Sequence, residues 1–226
     1  MITEHLYDQV GILQTTVHNF KESAGRLKLD SGLILRLMRP KEKIEISVCP
    51  VLSDGKTHQI QAFLVRHNDT LGPAKGGIRM AAEVSMEDIT GLAMEMTWKT
   101  ALSGVPFGGG KMGICCDPHN LTDKDKEIII RSITRALLRQ ISPEVYIPAP
   151  DMGTDETDMG HIRDCLAYSS GISITRGCYV TGKPVILGGI AGRREATGRG
   201  VAYCIQAACA KKGMDISQAR IAICKD

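Results

Sequence analysis

Apolar residues recur at two spacings along this chain, and the alternation between them points to an α/β architecture. Leu6, Val10, Leu13 and Val17 share one face of a helix expected over the first 28 or so residues. Ile44, Ile46 and Val48 then alternate with polar residues, as do Ile60, Ala62 and Leu64. Ser53-Asp-Gly-Lys56 lies between these runs as a turn signal, so an antiparallel hairpin is expected. A short strand over Gly77–Met80 should follow. Ser85-Met-Glu-Asp88 has the pattern of a capping box and opens a helix through Thr100, with Ile89, Leu92 and Met96 inward. A glycine loop at 108–110 leads into a strand over Lys111–Cys116. A helix over about Asp123–Ile141, a short buried strand at Val145–Ile147 and a helix over Asp155–Tyr168 come next. The glycines of Gly188-Gly-Ile-Ala-Gly192 signal a boundary, which gives domains at 1–183 and 184–226. A helix over about Ala196–Lys212 and a strand over Ala219–Cys224 close the chain.

Three lysines stand in glycine-rich or small-residue settings. They are Lys75 in Gly72-Pro-Ala-Lys-Gly-Gly-Ile-Arg-Met80, Lys99 in Met96-Thr-Trp-Lys-Thr-Ala101, and Lys111 in Pro106-Phe-Gly-Gly-Gly-Lys-Met-Gly113. Glycine permits a close approach of backbone that no other residue allows. Three such cations predict a pocket for an anionic small molecule. Lys111 has little side-chain bulk around it, and desolvation with nearby positive charge would depress its amine toward neutrality. Asp151, between Pro150 and Met152-Gly153, is read equally well as a turn or capping aspartate and as a carboxylate presented for chemistry after a buried strand.

Other chemistries are disfavoured. Gly108-x-Gly110-x-x-Gly113 has the spacing of a dinucleotide fingerprint, but it lies between a helix and a strand, the reverse of the order that sets pyrophosphate at a helix N-terminus. The spacing required of a P-loop also fails, with Met112 in place of a metal-binding hydroxyl. The net charge is only +3 and aromatics make up 4%, which argues against a nucleic-acid partner. No run of residues has the length and apolarity of a membrane span, and the first residues carry no secretory pattern. The eight cysteines include no Cys-x-x-Cys pair and the histidines no His-x-x-x-His pair. Reduced thiols, a cytoplasmic location and no metal are therefore expected. Trp98 is read as a packing residue.

The blocks Gly-Pro-Ala-Lys-Gly-Gly-Ile-Arg at 72–79, Met-Thr-Trp-Lys-Thr-Ala-Leu at 96–102, Pro-Phe-Gly-Gly-Gly-Lys at 106–111 and Pro-Ala-Pro-Asp-Met-Gly-Thr at 148–154 resemble the glutamate dehydrogenase family. That family also holds leucine, phenylalanine and valine dehydrogenases. The resemblance continues through Gly-Arg-Arg-Glu-Ala-Thr-Gly-Arg-Gly at 192–200. It implies a mixed-sheet, three-layer substrate domain followed by the first helix and strand of an incomplete Rossmann-like domain. It also implies NAD- or NADP-linked, reversible deamination of an L-amino acid, in a homo-oligomer that is hexameric in the family. By the same resemblance Lys111 and Asp151 are the catalytic pair, Lys75, Lys99 and Ala149 bind substrate, and Thr197 lies near the nicotinamide.

Lys75 sets the expected substrate. An ammonium in the side-chain pocket favours the second carboxylate of glutamate, where the branched-chain and phenylalanine enzymes resemble Gly-Pro-Ala-Leu-Gly-Gly. Two departures stand against full activity. Ile190 occupies a position where Ser is common, and Cys224-Lys-Asp226 stands where the family runs on into its dinucleotide fingerprint. The sequence therefore reads as the substrate-binding and oligomerisation half, truncated before that fingerprint and not expected to turn over efficiently. The alternatives are a non-catalytic oligomerisation module and a leucine, phenylalanine or valine dehydrogenase.

Overall fold

The computed structural model describes residues 11–170 and 179–222. They fall into two compact units, Met1–Gly189 and Ile190–Asp226. The first unit is built on a five-stranded mixed sheet of order β1-β2-β4-β3-β5. Its strands are β1 (Glu42–Val48), β2 (Ile60–Asn68), β3 (Ala74–Ala81), β4 (Gly108–Cys115) and β5 (Tyr146–Pro150). The expected hairpin pairs Ile44 with Leu64, Ile46 with Ala62 and Val48 with Ile60. β2 then runs antiparallel to β4, while β3 lies parallel to both β4 and β5.

Helices cover both faces, which gives three layers. On one face α4 (Asp123–Ala136) and α5 (Glu156–Ser170) bring Ile129, Ile130, Ile133, Met159, Ile162 and Leu166 onto Leu64, Ile78, Met80, Met112 and Ile114. On the other, α3 (Met86–Leu102) seats Ile89 and Ala93 on Phe63 and Val65. The helix α1 (Ile12–Arg26) packs behind α3 so closely that a Cβ on Gly91 would lie 2.8 Å from the Leu13 nitrogen. Phe20 of α1 stacks on Trp98 with ring centroids 5.2 Å apart, so the single tryptophan is a packing residue. The Ser85 capping box is formed in both directions, Ser85 Oγ accepting from the Asp88 amide at 3.1 Å and the Asp88 carboxylate from the Ser85 amide at 3.3 Å.

Five expectations are corrected. Gly108–Gly110 is not a loop but the start of β4, fully buried with helix or strand pressed against it. The short strand expected over Gly77–Met80 is longer: β3 begins at Ala74, takes in Lys75 and lies between β4 and β5. The helix α2 (Ser31–Met38) is not among the expected elements; its apolar residues crowd into eight positions, too few for a period, and Asp30 caps it by accepting from the Leu33 amide. In the second unit α6 (Arg193–Lys211) forms, but 219–222 make no strand; residues 223 and 224 of that expected strand lie outside the described residues. A lone strand has no neighbour to satisfy its backbone, and no other strand is described in that unit. Helix α4 also ends at Ala136, five residues early, with Leu137 and Ile141 kept in the core by a tight turn.

The glycines of β4 set the depth at which α3 sits. A Cβ on Gly109 would lie 2.1 Å from Thr97 Oγ1 and 2.3 Å from its amide nitrogen, and one on Gly113 would meet Val84 and Ile89 at 2.4 and 2.6 Å. Gly109→Ala should therefore push α3 off the sheet and cost at least about 2 kcal/mol, as overpacked cores do. Denaturant unfolding with Gly25→Ala as control, where a new Cβ meets nothing within 4 Å, reads this directly. Equal stability of the two variants would contradict the close seating.

Candidate active site

Parallel pairing fixes which residues share the face of the sheet turned toward α3. Lys75 stands opposite Gly109 on β4 and Ile147 on β5, Gly77 opposite Ala149, and Arg79 opposite Gly113. Continuing the register sets Lys111 beside Gly77, and sets Asp151, the first residue after β5, beside Arg79. Gly77 is thus the centre of a clearing floored by glycine and alanine, with Lys75, Arg79, Lys111 and Asp151 around it. A Cβ on Gly77 would lie 2.6 Å from the Asp151 Cβ. Its absence lets the two flanking strands reach each other across β3.

They do. Lys111 Nζ lies 2.6 Å from Asp151 Oδ2, and Arg79 Nε lies 3.5 Å from the same oxygen. Lys111 is only 6% exposed. The Asp151 loop is pinned to β3: the Asp151 amide donates to Thr154 Oγ1 at 3.0 Å, and that hydroxyl donates to the Ile78 carbonyl at 2.7 Å. Gly153 (φ +80°) closes on β3 so tightly that a Cβ would lie 2.0 Å from the Met80 carbonyl oxygen. Beneath the clearing the buried Tyr146 hydroxyl donates to the Gly76 carbonyl at 2.9 Å. Asp151 is therefore an ion-paired carboxylate on a fixed loop.

Burial is the main force that lowers the Lys111 amine below its ordinary value; Asp151 opposes it, and the positive charges of Arg79 and Lys99 add to it. Burial alone would raise the Asp151 carboxyl, but the Lys111 ammonium, Arg79 and the Met152 amide outweigh it and hold the group below its ordinary value. Lys99 stands exposed in the last turn of α3, where its charge bears on Lys111. Lys75 Nζ donates to Thr181 Oγ1 at 3.0 Å, and that hydroxyl donates to the Pro148 carbonyl at 2.9 Å. Lys111, Asp151, Lys75, Ala149 and Lys99 thus belong to one region of the first unit. Thr197 lies in the first turns of α6, in the second unit.

Sequence reasoning missed Arg79, Gly77 and Thr181. The first two sit inside a block already singled out and needed only the strand register to be seen. Thr181 is 30 residues beyond Asp151 in sequence, and nothing in Val180-Thr-Gly182 advertises it.

Residues 40–168 match the family model described as the Glu/Leu/Phe/Val dehydrogenase dimerisation domain. The chain belongs to that family. It is 38% identical over 213 residues to glutamate dehydrogenase A2 of Halobacterium salinarum, covering 94% of this chain and 51% of that protein. A glutamate dehydrogenase of Thermotoga maritima is likewise 38% identical, with 94% and 50% covered. Among solved structures, the hetero-hexameric glutamate dehydrogenase of Thermus thermophilus in its Leu-bound form superposes with a TM-score of 0.85 at 34% identity, over 90% of this chain and 49% of that one. The enzyme of Peptoniphilus asaccharolyticus gives a TM-score of 0.85 at 32% identity, over 92% and 52%. The chain spans about half the length of the relatives it matches.

The glycines of β4 offer this family member no pyrophosphate cradle, because backbone or side chains already occupy the space where a ligand would approach them. The turn glycine between β5 and α5, Gly153, is closed onto the Met80 carbonyl and lacks the Gly-x-Gly-x-x-Gly spacing of a dinucleotide fingerprint. Residues for the adenosine half of a dinucleotide are thus not among those described.

The ion pair makes a signed prediction. Asp151 holds a proton on Lys111, so Asp151→Asn should lower the amine further and leave more of it neutral at neutral pH. Reductive methylation followed by peptide mapping should show Lys111 modified several-fold faster than in the wild type, since lowering the midpoint by about one pH unit gives roughly ten times more neutral amine at any pH well below it. Slower modification at Lys111 would contradict the pairing.

Proposed function

We propose that this chain forms the substrate-binding and assembly half of an NAD- or NADP-dependent glutamate dehydrogenase, which interconverts L-glutamate with 2-oxoglutarate and ammonia. The observation that carries the reading is the buried Lys111–Asp151 pair beside a lysine, Lys75, directed by Thr181 into the same clearing. An amine lowered by burial, in contact with a carboxylate held ionised, supplies a base and a proton carrier with separate tasks.

In this reading Lys99 holds the α-carboxylate of the substrate, Lys75 its side-chain carboxylate, and Ala149 lines the floor between them. Asp151 takes a proton from the substrate ammonium and later returns one to the departing ammonia. Lys111 accepts a proton from the water that adds to the imino carbon; once protonated, it stabilises negative charge on the oxygen. The nicotinamide, near Thr197 when bound, supplies the hydride acceptor. Lys75 favours glutamate over aliphatic amino acids, because its ammonium complements a side-chain carboxylate and gains nothing from an apolar group. The chain is proposed to assemble as a hexamer in the cytoplasm, where the thiols described as free stay reduced.

Pyridoxal phosphate, an amine-directed anion, tests the site in the 226-residue chain without a cofactor. It should label Lys111 ahead of the surface lysines, and 2-oxoglutarate should protect better than 4-methyl-2-oxopentanoate. In Lys75→Leu the dicarboxylate should need roughly tenfold more concentration to protect, the loss expected of one charge-assisted contact. Equal protection by the two oxo acids in the wild type would overturn the glutamate assignment.

A further inference from the structure

One oxygen in the clearing serves two cations. Asp151 Oδ2 is 2.6 Å from Lys111 Nζ and 3.5 Å from Arg79 Nε, and that Nε is buried without a hydrogen-bond partner. An N–H shut away from water without an acceptor is destabilising. The carboxylate rests on the shorter contact to Lys111, and a movement of about half an ångström toward Arg79 would bring its Nε to ordinary hydrogen-bond distance.

The backbone of Arg79 is held in place by strand pairing. The residue lies in β3 between Gly113 of β4 and the Asp151 position, and its side chain is 23% exposed. Gly113 on one side offers it no side-chain contact.

We infer that Arg79 is the positioning residue of the Lys111–Asp151 pair: it takes over the Asp151 carboxylate whenever Lys111 is neutral. With Lys111 protonated, the carboxylate lies against the ammonium. When Lys111 gives up its proton, that attraction goes, and the waiting Arg79 Nε–H receives the oxygen. Asp151 then stays ionised and in place through both states of the lysine, and Lys111 surrenders its proton more readily than it would to an undivided carboxylate. The charged groups facing Lys111 are Asp151 from the loop after β5, Arg79 and Lys75 from β3 and Lys99 from α3. The opposed influences of Asp151 and Arg79 on the lysine agree with this sharing.

The inference rests on reading Lys111 and Asp151 as the reacting pair, but its test uses no substrate. Lost protection by 2-oxoglutarate would end the glutamate reading and leave this one standing. The pH dependence of Lys111 reductive methylation should be measured in the wild type, Arg79→Lys and Arg79→Gln, with circular dichroism to confirm folding. Arg79→Gln should raise the midpoint by roughly half a pH unit or more, so that Lys111 is modified about threefold more slowly at neutral pH. Arg79→Lys, which keeps the charge, should restore most of the wild-type profile. Three superimposable profiles would overturn the inference, as would equal upward displacements in both variants.

Should Arg79→Gln fail to fold, the wild-type chain carries the test alone. The Arg79 Nε–H resonance should move downfield with the midpoint at which Lys111 loses its proton. An Nε–H signal indifferent to that titration would overturn the inference.

Discussion

The site depends on one missing side chain. Gly77 sits in the middle strand of three, and Lys111 and Asp151 approach from the strands on either side of it. A methyl group there would stand 2.6 Å from the Asp151 Cβ, so any other residue would hold base and carboxylate apart. Much of the first unit serves that gap. β3 is kept between β4 and β5 by parallel pairing, the loop after β5 is pinned back onto β3 through Thr154 and Gly153, and the glycines of β4 let α3 close over the same face. Close seating of α3 also carries Lys99 to the site from the end of its helix.

The electrostatics follow from that packing. Four cations and one carboxylate line the region, which leaves it positive and suited to an anionic ligand. Burial and like charge lower the Lys111 amine, and the same cations keep Asp151 ionised despite its burial. The environment thus pushes the two groups toward their separate tasks.

The sequence made the clearing's chemistry legible and hid its geometry. Alternating spacing predicted the hairpin, α3 and its capping box, and the α/β class, because each is a local pattern. Lys75, Lys111 and Asp151 stood out because glycine or proline surrounds them, and Lys99 because of the Met-Thr-Trp-Lys-Thr-Ala block that holds it. Arg79 and Gly77 did not, since their importance is a matter of register across three strands far apart in the chain. Gly108–Gly110 read as a loop because glycine weakens a strand; here neighbouring elements press so close on the backbone that only glycine fits. Thr181 was invisible for a similar reason, as it reaches Lys75 from 106 positions away. Residues 219–222, the described part of the strand expected at 219–224, show the opposite limit: a local apolar pattern does not form a strand without a partner to pair with.

A side-chain NMR titration of Lys111 and Asp151, in the wild type and in Gly77→Ala, tests the central claim most directly. In the wild type the Lys111 Cε signal should titrate below the ordinary 10.5 and the Asp151 Cγ signal below the ordinary 3.8. In Gly77→Ala the methyl group displaces the carboxylate from both cations while burial persists, so the Asp151 midpoint should rise. A wild-type Lys111 that titrates at 10.5 or above, or an Asp151 midpoint untouched by Gly77→Ala, would contradict the account.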